Sequence, residues 1–215
     1  MTDFLYPFLE GEPTDTTALL ADLAASARAK AADSAALRTV TLERERGQLE
    51  HIAAIMADRF AAGGRLFTLG NGGSSTDASS VATLFAWPPW GRPLPARCLV
   101  EDSAVLTALG NDVGFELVFS RQVIAHAHPG DIVLGLSTSG NSRNLFTAFR
   151  EARSRDVVTV GLAGYDGGEM ARSDDVEHCL VVRADSVHRI QETQSALAFA
   201  LWTAVQERLD GVSRG

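Results

Sequence analysis

Apolar positions change their period once along the chain, near residue 65. Ahead of that point they recur at helical spacing. Leu19, Leu20 and Leu23 give one apolar side to residues 14–34, where Thr14 and Asp15 are suited to cap a helix. Leu49, Ile52, Met56 and Phe60 mark a second helix over residues 37–62, stopped by Gly63-Gly64. From Arg65 the pattern becomes short runs that are apolar on both faces: "RLFTLG" (65–70), "ARCLV" (96–100), "DIVLGLS" (131–137), "VVTVGLAG" (157–164) and "VEHCLVV" (176–182). Helical stretches separate them, over 75–86, 103–109, 114–127, 142–154 and 187–209. Strands buried on both faces and alternating with helices predict a mostly parallel sheet covered on both sides, a three-layer α/β/α sandwich. The expected division is a pair of N-terminal helices over 1–62, used for packing or oligomerisation, and a single α/β unit over 63–215. Binding sites are expected at the carboxyl ends of the strands.

Two strand ends carry candidate chemistry. The first is Gly70-Asn71-Gly72-Gly73-Ser74. The second is Ser137-Thr138-Ser139-Gly140-Asn141-Ser142, with four hydroxyls in six residues immediately before a predicted helix. The first amides of a helix lack intrahelical acceptors and carry partial positive charge, so hydroxyls placed there can help hold phosphate oxygens without a lysine or arginine. Such residues also cap helices for purely structural reasons, yet two equivalent loops at strand ends of one sheet favour an anion cradle. Neither loop has the GxxxxGK[ST] of a nucleotide-triphosphate loop. Gly70-x-Gly72-x-x-Ser75 approaches a dinucleotide fingerprint, with Glu101 and Asp102 at the next strand end. However, it lacks the third glycine, and its spacing to the acid exceeds the usual ~20 residues.

Composition narrows the partners. The 215 residues are 46% hydrophobic and 21% charged, with a net charge of -8. An acidic surface repels a phosphate backbone, so direct nucleic-acid binding is not expected, while a small phosphorylated molecule remains compatible with local amides. Cys98 and Cys179 sit in apolar runs outside any CxxC spacing and read as buried thiols of a reducing compartment. No apolar run suits a membrane span, and the first residues do not read as a signal peptide, so a cytoplasmic location is expected. Trp87 and Trp90 bracket Pro88-Pro89 in a loop and suit either a subunit contact or stacking on a ligand. His51, His126, His128 and His178 are scattered without ligand spacing and read as structural.

The ordered motifs "GNGGS" (70–74), "GND" (110–112), "LSTSGNS" (136–142), "GYDGGEM" (164–170) and "RIQE" (189–192) resemble the sugar isomerase (SIS) domain. More narrowly they are similar to the sedoheptulose 7-phosphate (phosphoheptose) isomerase family. The resemblance runs from about residue 40 to the C-terminus. It implies a flavodoxin-like SIS fold and a homotetramer with sites at subunit boundaries. It places a sugar phosphate against Ser74, Ser137, Thr138, Ser139 and Ser142, with Asn71, Gly72, Asp102, Asp112 and Gln191 around the sugar. A non-enzymatic branch of the same fold associates with bacterial replication initiators, which leaves a protein partner open.

The same resemblance locates the chemistry this chain lacks. Aldose–ketose isomerisation needs a base and an acid flanking adjacent carbons. In the isomerases these are a glutamate on the helix after the first loop and a histidine on the last helix. A second histidine one turn before the glutamate and a glutamine complete a zinc site in metal-containing members. Counting from the flanking motifs, these positions are Ser80, Leu84 and Phe199, and only Gln191 remains. One neutral amide does not make a zinc site, so no cofactor is expected. Two readings follow. In the first, the protein binds a sugar phosphate and acts as a binding or regulatory tetramer. In the second, it is an isomerase whose acid and base have moved to Glu192 and His188 beside Gln191, or to Asp77 on the first-loop helix.

Overall fold

The computed structural model describes residues 16–212, so Thr14 and Asp15 lie outside the described residues. Helix α1 (Thr16–Ala61) leads to strand β1 (Leu66–Gly70) and helix α2 (Gly73–Ala86). Strand β2 (Ala96–Cys98), helix α3 (Ser103–Asp112), a 3-10 turn (Phe115–Leu117) and helix α4 (Val118–His126) follow. The chain ends with β3 (Ile132–Ser137), α5 (Arg143–Arg153), β4 (Val158–Gly164), β5 (His178–Val182) and α6 (Val187–Val212). All five strands are parallel, in the order β2-β1-β3-β4-β5.

Alternation along the strands builds two cores. Leu66, Ile132, Leu134, Val160 and Leu162 project to one face, where Ile52 and Met56 of α1, Phe85 of α2, and Leu201 and Trp202 of α6 cover them. Phe67, Leu69, Val133 and Ala163 project to the other, beneath Phe119 and Val123 of α4 and Leu145 and Phe149 of α5. Period-2 side chains with helices on both sides produce the three-layer α/β/α sandwich that the strand pattern predicts.

The N-terminal segment differs from expectation. Residues 16–61 form one helix of 46 residues rather than two. The stretch 34–37 holds "SAAL", which contains no proline or glycine to break the backbone ladder, so the helix runs through. At ~1.5 Å per residue it is roughly 70 Å long, longer than the sheet it packs on. Its second half supplies core residues from Leu49 to Phe60. In its first half Leu20 and Leu23 are exposed, Asp33 pairs with Arg189 on α6 at 2.8 Å, and Leu37 is the point at which the helix reaches the core. The thiols also differ from the reading of two buried cysteines. Cys98 is buried, but Cys179 is half-buried on the edge strand β5. Desolvation, with a smaller contribution from Glu45, pushes its thiol up to about 12, so it stays protonated and unreactive at neutral pH.

Candidate functional site

The strand order reverses at β1. The chain moves outward from β1 to β2, then returns to place β3 on the other side of β1. Accordingly α2 leaves β1 toward one face of the sheet and α5 leaves β3 toward the other. In open parallel sheets such a reversal forms a crevice at the carboxyl ends of the two strands, where ligands are taken. Gly70 pairs with Leu136 in the β1–β3 register, so the "GNGGS" and "STSGNS" loops emerge side by side.

The second loop gathers its hydroxyls. Ser137 Oγ lies 3.1 Å from Ser142 Oγ and 3.5 Å from Ser139 Oγ, and it accepts from the Gly140 amide at 3.1 Å. Ser142 is the N-cap of α5 but makes no side-chain cap bond, so its hydroxyl serves this cluster instead. Thr138 is half-buried and Ser139 exposed, which leaves both within reach of solvent. In the first loop Ser74 is buried in the first turn of α2, and Gly72 is exposed with φ 54. Asn71 and Asn144 lock the loops together. Asn71 Nδ2 donates to Asn144 Oδ1 at 2.8 Å, and Asn144 Nδ2 donates back to Asn71 Oδ1 at 2.9 Å.

The loop after β4 braces the hydroxyl cluster from behind. Asn141 Oδ1 accepts from the Glu169 amide at 2.9 Å, and the Met170 amide donates to the Gly140 carbonyl at 2.9 Å. Gly140 has φ +64, and a Cβ there would collide with the Gly167 carbonyl. Only glycine meets both demands, positive φ and backbone contact. Asn144 and this brace have no direct signature in the sequence. "GYDGGEM" is visible as a motif, but its contact with a loop some 28 residues earlier is a property of the packed chain.

The flank formed by α2 and α6 is of another kind. Gln191, near the start of α6, donates through Nε2 to Asp77 Oδ2 at 3.2 Å, and its carboxamide fills the space where a side chain on Gly73 would project. Burial raises the pKa of the Asp77 carboxyl above its ordinary value of 3.8, and the Gln191 hydrogen bond opposes that rise. One turn further along α2, Ser80 is exposed and its Oγ donates to the Thr76 carbonyl within the helix at 3.0 Å. Leu84 is half-buried against the core. Phe199 is 49% exposed and rests on Trp202, with ring centroids 5.2 Å apart. Trp90 packs on the other side of Trp202 at 4.5 Å, while Trp87 is 80% exposed.

A family model described as SIS domain matches residues 31–164. A phosphoheptose isomerase from Akkermansia muciniphila is 41% identical over 167 residues, covering 77% of this chain and 87% of that protein. The chain belongs to the phosphoheptose isomerase family of SIS-domain proteins. The structure of phosphoheptose isomerase from Neisseria gonorrhoeae superposes with a TM-score of 0.79 at 33% identity, covering 86% of this chain and 99% of that one. The Vibrio vulnificus NanR protein complexed with ManNAc-6P shares the fold at 17% identity, with a TM-score of 0.57 over 92% of this chain and 69% of that one.

Within this SIS fold, the positions matched to the family's zinc ligands do not fit a metal ion. Ser80 turns its hydroxyl back to its own helix, Leu84 and Phe199 present hydrocarbon, and the Gln191 amide is engaged by Asp77. Zinc sites use thiolate, imidazole or carboxylate donors, three or four together. Among the described residues no group of three or more His, Cys, Asp or Glu is placed to hold a metal ion. Glu192 and His188 are both exposed, and Arg189, which lies between them in sequence, pairs with Asp33. Asp102 caps α3, accepting from the Val105 amide at 3.0 Å, and Asp112 ends that helix exposed, accepting from Asn111 at 2.8 Å. No helix among the described residues is long and apolar enough to cross a membrane.

Proposed function

We infer that this SIS protein binds a phosphorylated sugar of the ketose or heptose phosphate type in the crevice between β1 and β3, without the isomerase chemistry of its relatives. The observation that carries the reading is the contrast between the loop after β3 and the α2/α6 flank. Ser137, Ser139 and Ser142 converge at the start of α5, while Leu84 and Phe199 stand where proton-transfer groups would be needed. The phosphate lies against Ser137, Thr138, Ser139 and Ser142, with Ser74 behind the first loop. Gly72, Asn71, Asp102, Asp112 and Gln191 border the sugar. The same fold accommodates ManNAc-6P in the Vibrio protein.

The protein acts as a cytoplasmic homotetramer with a binding or regulatory role, and a protein partner reads its liganded state. The extended first half of α1 and the exposed Trp87 supply surfaces for assembly. In this assignment residues 1–62 serve packing between copies, and residues 63–215 form the ligand-binding unit.

Sedoheptulose 7-phosphate should raise the melting temperature of the purified protein, because a ligand that binds only the folded state stabilises it by about 2.7 kcal/mol at a hundred times Kd. Ser139→Ala combined with Ser142→Ala should weaken binding at least about a hundredfold, since each hydroxyl bond to a charged group contributes roughly 1.5–3 kcal/mol. Stabilisation that survives the double substitution refutes the assignment of this loop.

A second reading keeps catalysis, and one observation favours a specific form of it. Asp77 is a half-buried carboxyl with a raised pKa that touches Gln191, whereas Glu192 and His188 are exposed. If any acid–base chemistry operates, Asp77 carries it, and Asp77→Asn removes it.

A further inference from the structure

The amino end of the sheet, a full strand length away from the crevice, holds a separate cavity of about 220 Å³. Arg65, Phe67, Pro95, Ala96, Arg97 and His126 line it. Phe67 and Arg97 are register partners on β1 and β2, so they project from the same face of the sheet. Helix α4 ends beside them at His126. The Arg65 guanidinium lies 5.3 Å from the centroid of the Phe67 ring and makes one wall flat.

The charges of this cavity do not cancel. Asp131 is buried and fully engaged by Arg65, with Nη2 to Oδ2 at 2.7 Å and Nε to Oδ1 at 3.3 Å. It also accepts from the backbone amides of Arg65 at 2.8 Å and His128 at 2.9 Å. Arg65 is thereby neutralised, and it gives a further N–H to the His126 carbonyl at 2.7 Å. Arg97 has no ion pair among the described residues. Burial, then the fields of Arg97 and Arg65, hold the His126 imidazole below its usual value, so it is neutral at physiological pH and offers one N–H. The cavity therefore carries one unmatched positive charge in a chain of net charge -8. A charged edge strand discourages strand addition, but that purpose calls for neither a cavity nor a second basic wall.

We propose that this cavity is a second ligand site, taking a small monoanion with a flat apolar body, an aryl carboxylate. Arg97 pairs with the carboxylate through two parallel N–H bonds, the geometry that guanidinium and carboxylate share. The ring lies between Pro95 and the Arg65 guanidinium that covers the buried Phe67 ring. The volume is below the ~300 Å³ at which drug-sized pockets begin, which suits a single ring. A phosphate dianion is mismatched here, because a single unmatched positive charge faces it.

The test is isothermal titration of the full chain with benzoate, with benzyl alcohol as the neutral counterpart and inorganic phosphate as the multivalent one. One benzoate per chain should bind, unaffected by saturating sedoheptulose 7-phosphate, and more tightly than either control. Arg97→Leu, on an exposed edge position, should weaken benzoate at least about tenfold, the loss of one charge-assisted pair, with an unchanged melting temperature. Arg97→Lys should lose less. Absence of benzoate binding, equal binding of benzyl alcohol, tighter binding of phosphate, displacement by the sugar phosphate, or an Arg97→Leu protein that binds as well as the parent overturns the proposal. The outcome is independent of what occupies the β1–β3 crevice.

Discussion

The loop after β3 lies at the carboxyl end of the sheet and the α2/α6 flank covers one of its faces, and they differ in what their side chains can exchange with a ligand. Around the loop, polar atoms converge: the Ser139 and Ser142 hydroxyls lie within 3.5 Å of Ser137 Oγ, and a reciprocal Asn71–Asn144 pair holds the neighbouring loop in place. Along the flank, the outward positions are a serine bonded to its own helix, a leucine and a phenylalanine stacked on tryptophan. Holding a phosphate and moving a proton draw on separate side chains. The two sets can vary independently, because they sit on different elements of the fold.

Changes to the loop should therefore dominate. Gly140→Ala introduces a Cβ at positive φ against the Gly167 carbonyl. It should cost about 3 kcal/mol or more in chemical denaturation and abolish stabilisation by sugar phosphate. A variant that keeps both would show that the brace behind the loop is dispensable. Asp77 marks the middle ground. A carboxyl whose folded pKa is raised holds its proton more tightly in the folded state. Its favourable contribution is present below pH 3.8 and is lost as pH rises through the folded value. Asp77→Asn stays neutral and can still accept from Gln191, so it should show a small gain in melting temperature at neutral pH. That gain should shrink as pH falls toward 3.8; a gain that is constant with pH contradicts the assigned cause. Phe199→Ser should have the least effect on binding, within about threefold of the parent, as expected for an exposed side chain that offers the sugar hydroxyls no hydrogen bond. A large loss of affinity would place the Phe199 ring against the sugar.

The sheet and its loops were legible because buried parallel strands write a strong pattern. "DIVLGLS" and "VVTVGLAG" lack a polar face, and each ends at its turn within a residue of the predicted limit. The single N-terminal helix reads as two in the sequence because apolar spacing weakens around residue 35. Helix continuity there is set by the lack of a breaker, not by the presence of a stripe. Half-burial of Cys179 was not legible, since an apolar run looks the same on an edge strand as in the sheet centre. In the site, the serines announced themselves by density. Asn144 did not, because a single amide in the first turn of a helix has no pattern, and its partner Asn71 lies 73 residues earlier. The Asp77–Gln191 contact is likewise long-range, 114 residues apart, and only the packing of α2 against α6 creates it.

The most direct measurement is solvent deuterium incorporation into sedoheptulose 7-phosphate, followed by proton NMR at the carbons flanking the carbonyl. It would use saturating protein, with and without added zinc, in parallel with thermal stabilisation by the same ligand. The sugar phosphate is expected to stabilise the protein while no deuterium enters above the protein-free rate. Enzyme-dependent exchange that disappears in Asp77→Asn or Glu192→Gln would contradict the account and establish this SIS protein as an isomerase with a relocated acid–base group.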